Sequence, residues 1–85
     1  MFYDDLLVVI NGILNHTIDN DIKFQIRKLL KKVSFKKFTT LSKDDQKREI
    51  LNLISEVRYG YTTLKPKKII AVNIIENIIK SKLDI

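Results

Sequence analysis

Basic side chains are concentrated in the second quarter of this sequence, and side chains of this type could bind an anionic partner. Residues 22–43 contain eight lysines and arginines and no acidic residue, whereas residues 1–21 contain four aspartates and no lysine or arginine. Such an asymmetry favours a basic face that meets nucleic acid, anionic lipid or an acidic protein. The alternative is a lysine-rich helix face that is only solvated.

The candidate binding surface consists of one phenylalanine and seven cations on, or just after, the second predicted helix. Its members are Lys23, Phe24, Arg27, Lys28, Lys31, Lys32, Lys36 and Lys37. Phe24 falls on the basic side of this helix and outside its apolar stripe. A ring among cations can stack on a nucleic-acid base, enter a membrane interface or fill a partner's pocket. It can also pack on a loop of its own chain.

No set of side chains in the sequence is typical of catalysis or of a metal site. His16 is the only histidine and there is no cysteine, so a zinc site of the usual kind has too few ligands. The neighbouring aspartates at 4–5 and 44–45 point about 100° apart on a helix, and capping and dipole roles explain both pairs. The two glycines, Gly12 and Gly60, form no phosphate-binding loop. We therefore expect neither an enzyme nor a bound cofactor.

Length and composition predict one small all-helical domain over residues 1–85. Hydrophobic residues make up 45% of the chain, which is usual for a folded protein. A core of this size gives marginal stability unless helix packing is very good or a partner contributes. The absence of cysteine fits a reducing compartment. The acidic N-terminus and its short apolar run predict neither a signal peptide nor a membrane span, and hence a cytoplasmic protein.

Four amphipathic helices are predicted, because apolar residues recur every three or four positions. Their expected ranges are 3–15, 21–33, 43–59 and 66–83. Asp19 or Asn20 is expected to cap the second helix, and Ser42 the third. Short loops would make consecutive helices antiparallel, so we predict an antiparallel four-helix bundle of two αα-hairpins. Phe35 and Phe38 miss the second apolar stripe and are expected to anchor the loop that follows it.

The last predicted helix carries a wide apolar surface. Its aliphatic residues between positions 70 and 79 cover an arc of about 200°, whereas a surface helix needs only about 100°. Contacts with the first and third helices, with the second helix diagonally across the core, would use most of this arc. Any uncovered part would be a secondary surface for a partner or for a homodimer, and we place it at Ile75, Ile79 and Lys82.

Several segments of the sequence carry a resemblance to a known family. They are residues 5–14 (DLLVVINGIL), 26–33 (IRKLLKKV), 50–54 (ILNLI), 74–79 (IIENII) and the stretch LISEVRYGY at 53–61. In this succession the chain resembles the immunity proteins of class IIa bacteriocins, of the enterocin A immunity type. The resemblance implies a cytoplasmic protein that protects a bacteriocin producer by acting on the sugar-transport permease that the bacteriocin attacks.

Immunity of this kind would be the recognition of a membrane-associated protein complex, without chemistry. The basic surface would then suit the anionic inner face of the membrane, where each nearby cation contributes about 1 kcal/mol. Two other classes stay open. The acid-free run around Phe24 suggests a small phage- or plasmid-type regulator that binds DNA or RNA. The wide apolar arc of the last helix suggests a helical inhibitor or adaptor, including one that forms a homodimer.

Overall fold

The computed structural model describes residues 2–60 and 66–85, among which there are five helices and no strand. In chain order the helices are α1 (Phe2–His16), α2 (Asn20–Val33), α3 (Lys36–Thr39), α4 (Lys43–Tyr59) and α5 (Pro66–Leu83). The prediction of an all-helical chain is confirmed, and each long helix begins and ends within one residue of its predicted limits. The loop expected at 61–65, with Tyr61 of the family-like stretch, lies outside the described residues.

Two side chains cap helices as the sequence predicts. The Asp19 carboxylate accepts a hydrogen bond from the backbone N–H of Ile22 at 2.9 Å. The Ser42 hydroxyl accepts one from the backbone N–H of Asp45 at 3.2 Å. Each bond satisfies a donor that would otherwise be unpaired at a helix start, and such a cap contributes about 1 kcal/mol. The caps therefore fix where α2 and α4 begin.

Asp45 also gives the stability of the protein an acid dependence. Hydrogen bonds from Arg48 and Ser42, together with the Arg48 charge, lower the pKa of the Asp45 carboxyl from its usual value of 3.8. A carboxyl with a lowered folded-state pKa stabilises the fold above its unfolded pKa, and this contribution is lost as the pH falls through the folded pKa. Asp45→Asn should therefore lower the free energy of unfolding at about pH 7 and not at about pH 2, as urea unfolding can measure. An equal deficit at both pH values would contradict this.

One hydrophobic core is shared by the five described helices. Its buried members are Phe2, Leu6, Ile10, Ile13, Ile26, Leu29, Val33, Phe38, Ile50, Leu53, Ile54, Val57, Val72, Ile75 and Ile79. α2 contacts each of the other four helices, and its contact with α5 is the most extensive of any helix pair. The sequence instead predicts that these two helices lie diagonally across the core from each other. The small side chain of Ala71 is buried beside Ile22, which allows α5 to approach α2 closely.

The part of α5 that stays exposed is not the part that the sequence predicts. Ile75 and Ile79 are buried, at 2% and 0% exposure, so the secondary surface predicted there is wrong, and only Lys82 of that set is exposed. Ile70 and Ile74 are exposed instead, at 55% and 40%. The reason is that α2 packs on α5 in addition to α1 and α4, and so the side with Ile75 and Ile79 turns inwards.

A short helix, α3, occupies part of the loop predicted after α2. Phe38 in α3 is buried, and its ring centroid lies 6.0 Å from that of Tyr3 in α1, so its predicted role as an anchor is confirmed. The same prediction for Phe35 is wrong, because this side chain is exposed. Phe35 has extended backbone angles and precedes the first turn of α3, so its ring does not share the inward face of Phe38.

Gln25 is a fully buried side chain whose amide makes no hydrogen bond in the described part of the chain. A buried amide without a partner costs about 1–3 kcal/mol. Gln25→Met keeps a similar shape and removes the amide, so it should raise the free energy of unfolding by about 1–3 kcal/mol in urea unfolding.

Gln46 provides the matched control for this substitution. Its side chain is also buried, but its Nε2 donates a hydrogen bond to the Phe38 carbonyl oxygen at 3.3 Å. Gln46→Met leaves this carbonyl unpaired and should lower the free energy of unfolding. Equal losses for both variants would refute the assignment of Gln25 as an unsatisfied group.

Candidate functional site

The outer side of α2 carries most of the predicted binding surface. Its aliphatic stripe faces the core, so the helical period turns Phe24, Arg27 and Lys31 outwards, and all three are exposed. Phe35 follows the end of the helix by two residues and is also exposed. Phe24 and Lys31 are separated by about two turns, or about 10 Å along the helix. The result is an exposed helix face that combines an aromatic ring with cations.

Phe24 is half exposed, and two lysines lie close to its ring. The Nζ atoms of Lys28 and Lys68 lie 5.0 and 5.5 Å from the ring centroid. Cation–π contacts of this kind contribute about 0.5–1 kcal/mol at exposed sites. Lys28 is one turn further along α2, but Lys68 belongs to α5 and was not predicted. Only the close contact between α2 and α5, which has no local sequence signal, brings Lys68 to this ring.

Phe35 is the second residue that sequence reasoning missed, because it was assigned to a loop anchor. Its side chain is 60% exposed, and in the sequence Phe35 lies between the cations of α2 and those of α3. The α2 surface, as the name is used below, consists of Lys23, Phe24, Arg27, Lys28, Lys31, Phe35 and Lys68. It is therefore a basic surface with two aromatic rings, one of them absent from the predicted set.

Three cations of the predicted set have different surroundings. Lys32 Nζ forms an ion pair with the Glu56 carboxylate of α4 at 3.2 Å. Lys37 lines a surface cavity of about 230 Å³ together with Glu49 and Glu56, so acidic groups of α4 offset part of its charge. Lys36 is exposed on α3 next to Phe35. The structure thus directs Lys32 towards α4 and leaves Lys36 exposed.

A second exposed surface is aliphatic and follows the contact between α1 and α5. The large aliphatic side chains that are exposed in the described chain are Val8, Ile18, Ile70 and Ile74. A cleft of about 360 Å³ between the two helices is lined by Val8, Val9, Gly12, Ile13, His16, Ile78 and Lys82. A second cavity of about 290 Å³ lies nearer the N-terminus of α5, where Ile70 and Ile74 face Ile22 at the start of α2. The residues that line these two cavities are together termed the α1/α5 seam.

The described residues contain neither a cluster of metal ligands nor a helix that could span a membrane. Among residues 2–60 and 66–85, no group of three potential metal ligands from His, Asp and Glu side chains comes together. No helix in these same residues has both the length and the apolar character needed to cross a bilayer. The chain matches no protein-family model, no curated protein and no solved structure.

Proposed function

We propose that this is a non-enzymatic binding protein whose α2 surface docks on an anionic membrane leaflet. The observation that carries the proposal is the exposed row of Phe24, Arg27 and Lys31 on the outer side of α2, with exposed Phe35 two residues beyond the end of the helix. Near an anionic leaflet each cation contributes about 1 kcal/mol, and an exposed apolar ring gains from entry into the headgroup boundary. Phe24, Arg27 and Lys31 lie in one row along the helix, so they can reach a flat surface together.

As the biological role, we propose protection of a cell against a class IIa bacteriocin. The protein would be cytoplasmic, peripheral at the inner face of the membrane, and would act on the permease complex that the bacteriocin attacks. The helical segments that resemble the immunity family support this role, and the α2 surface supplies a means of reaching the membrane. Expression in a sensitive strain should raise survival in the presence of the matching bacteriocin. No gain across several class IIa bacteriocins would contradict the role.

Co-sedimentation with lipid vesicles tests the membrane step separately. The protein should bind vesicles of phosphatidylcholine with about 30% phosphatidylglycerol, and it should bind pure phosphatidylcholine much more weakly. Binding should weaken towards about 1 M salt, where the Debye length falls to about 3 Å. Equal binding to both vesicles, or binding to neither, would refute docking through the cations of the α2 surface.

A second candidate function is the binding of single-stranded nucleic acid. The specific observation in its favour is the half-exposed Phe24 ring with Lys28 and Lys68 beside it. Proteins that bind single strands combine aromatic rings, on which the bases stack, with cationic side chains that contact the phosphate backbone. Affinity for labelled DNA and RNA of about 15 nucleotides should then be detectable by fluorescence anisotropy and fall steeply with salt. No binding at low salt would remove this candidate.

We also propose that the four long helices form an antiparallel four-helix bundle of two αα-hairpins. Opposite directions for α1 and α5 are supported by the cavities between them: Asp5 lies near Lys82 and Leu83, whereas Gly12 lies near Ile78. The connection of three residues between α1 and α2 supports the first hairpin. In this bundle the extensive α2–α5 contact would bring these two diagonal helices closer together than the other diagonal pair.

A further inference from the structure

We propose that the α1/α5 seam is the interface between two copies of this chain. The inference does not rest on the α2 surface or on its proposed function. Exposed aliphatic side chains are normal when they are scattered, but a contiguous group usually marks an interaction site. Here three of the four exposed large aliphatic side chains of the described chain, Val8, Ile70 and Ile74, line the seam, whereas the exposed phenylalanines lie on the α2 surface.

The seam has a shape into which a second helix can settle. Ile70, Ile74 and Ile78 repeat every four residues and so form one row about 12 Å long on α5. Across from Ile78, Gly12 leaves a gap in the side chains of α1. A Cβ atom added to Gly12 would meet nothing within 4 Å, so the cleft is open at this point. A neighbouring helix can therefore approach the α1 backbone closely here.

Charge at the two ends of the seam favours a second copy as the occupant. The cavity at the C-terminal end of α5 is lined by Asp5, Lys43, Lys47, Lys82 and Asp84. The cavity at the opposite end carries Asp19, Asp21 and Lys67. A twofold axis that passes through the middle of the seam, perpendicular to its length, places each end of the seam against the opposite end in the other copy. The lysines of the first end then meet the aspartates of the second, and Lys67 meets the aspartates of the first.

The seam is also long enough for a stable dimer. A standard interface buries about 800 Å² on each partner, which is roughly one seventh of the 5594 Å² surface of this chain. On α5 the residues that line the seam and its end cavities extend from Lys67 to Leu83, about 24 Å along the helix. A chain of 85 residues buries a smaller share of its surface on folding than a larger domain does, so covering the seam adds burial that the monomer lacks.

Sedimentation equilibrium of the full chain, from about 1 to about 500 µM, tests the proposal. Wild-type protein should change from the monomer mass of 10.0 kDa to twice that mass within this range. Two variants should raise the dissociation constant of the dimer by about tenfold or more. Gly12→Leu fills the cleft and favours helix, so it leaves the monomer folded, and Ile74→Lys puts a charge into the exposed row.

Tyr59→Lys is the matched control, because it also replaces an exposed hydrophobic residue with lysine but lies on α4, outside the seam. It should leave the dissociation constant unchanged. A charge exchange tests the twofold arrangement: Lys82→Glu and Asp21→Lys should each weaken the dimer, and the double variant should restore it. A strict monomer over the whole range, or a dimer that is indifferent to Gly12→Leu and Ile74→Lys, would overturn the proposal.

Discussion

Ile79→Ala is expected to lower the free energy of unfolding by about 2–5 kcal/mol, whereas Ile70→Ala should lower it by less than about 1 kcal/mol. Ile79 is fully buried in the core, but Ile70 is 55% exposed. Truncation of a buried isoleucine loses the transfer free energy of three carbons and leaves a cavity that the surrounding helices close only in part. For a chain of this length, whose total stability is about 4–13 kcal/mol, such a loss is a large fraction.

The two substitutions are a matched pair, because both replace isoleucine by alanine within α5 and change helix propensity equally. Urea unfolding followed by circular dichroism measures both. Protein at about 1 µM keeps any dimer contribution of Ile70 small. Equal losses for the two variants would mean that Ile70 and Ile79 are equally buried, and this would contradict the orientation of α5.

Arg27→Glu with Lys31→Glu is expected to weaken binding to anionic vesicles by at least about 30-fold. Two cations near the leaflet contribute about 2 kcal/mol, and two carboxylates in their place add repulsion to that loss. Both side chains are exposed on the outer face of α2, so the fold should tolerate the change. Vesicle co-sedimentation at about 0.1 M salt measures the partition coefficient.

Arg48→Glu with Lys80→Glu is the control for this charge reversal. It changes the net charge by the same amount, and both positions are exposed outside the α2 surface and the α1/α5 seam. Because Arg48→Glu also removes the ion pair with Asp45, circular dichroism must first show that the control is folded. Vesicle binding should fall much less than for the α2 pair. Equal losses in the two double variants would mean that only net charge matters, and the α2 surface would then have no special role.

Phe35→Ser distinguishes the contribution of the ring to vesicle binding from that of the cations. Because Phe35 is exposed, its loss should reduce binding without lowering stability.

The sequence by itself determined the features that depend on neighbours along the chain. The long helices follow from the three- and four-residue spacing of apolar residues, which is a local property. The Asp19 and Ser42 caps follow from side chains that bond the backbone three residues later. The outward position of Phe24, Arg27 and Lys31 follows from the inner stripe of the same helix, because a residue off that stripe must face elsewhere.

Only the tertiary structure decided which side of a wide apolar helix is covered. α5 is aliphatic over an arc of about 200°, so its own pattern does not distinguish Ile75 and Ile79 from Ile70 and Ile74. The approach of α2 to α5, which is a contact between distant parts of the chain, makes that choice. The same contact brings Lys68 to Phe24 and leaves the α1/α5 seam uncovered. Helix–helix contacts depend on the shapes of both surfaces, and periodicity describes only one surface at a time.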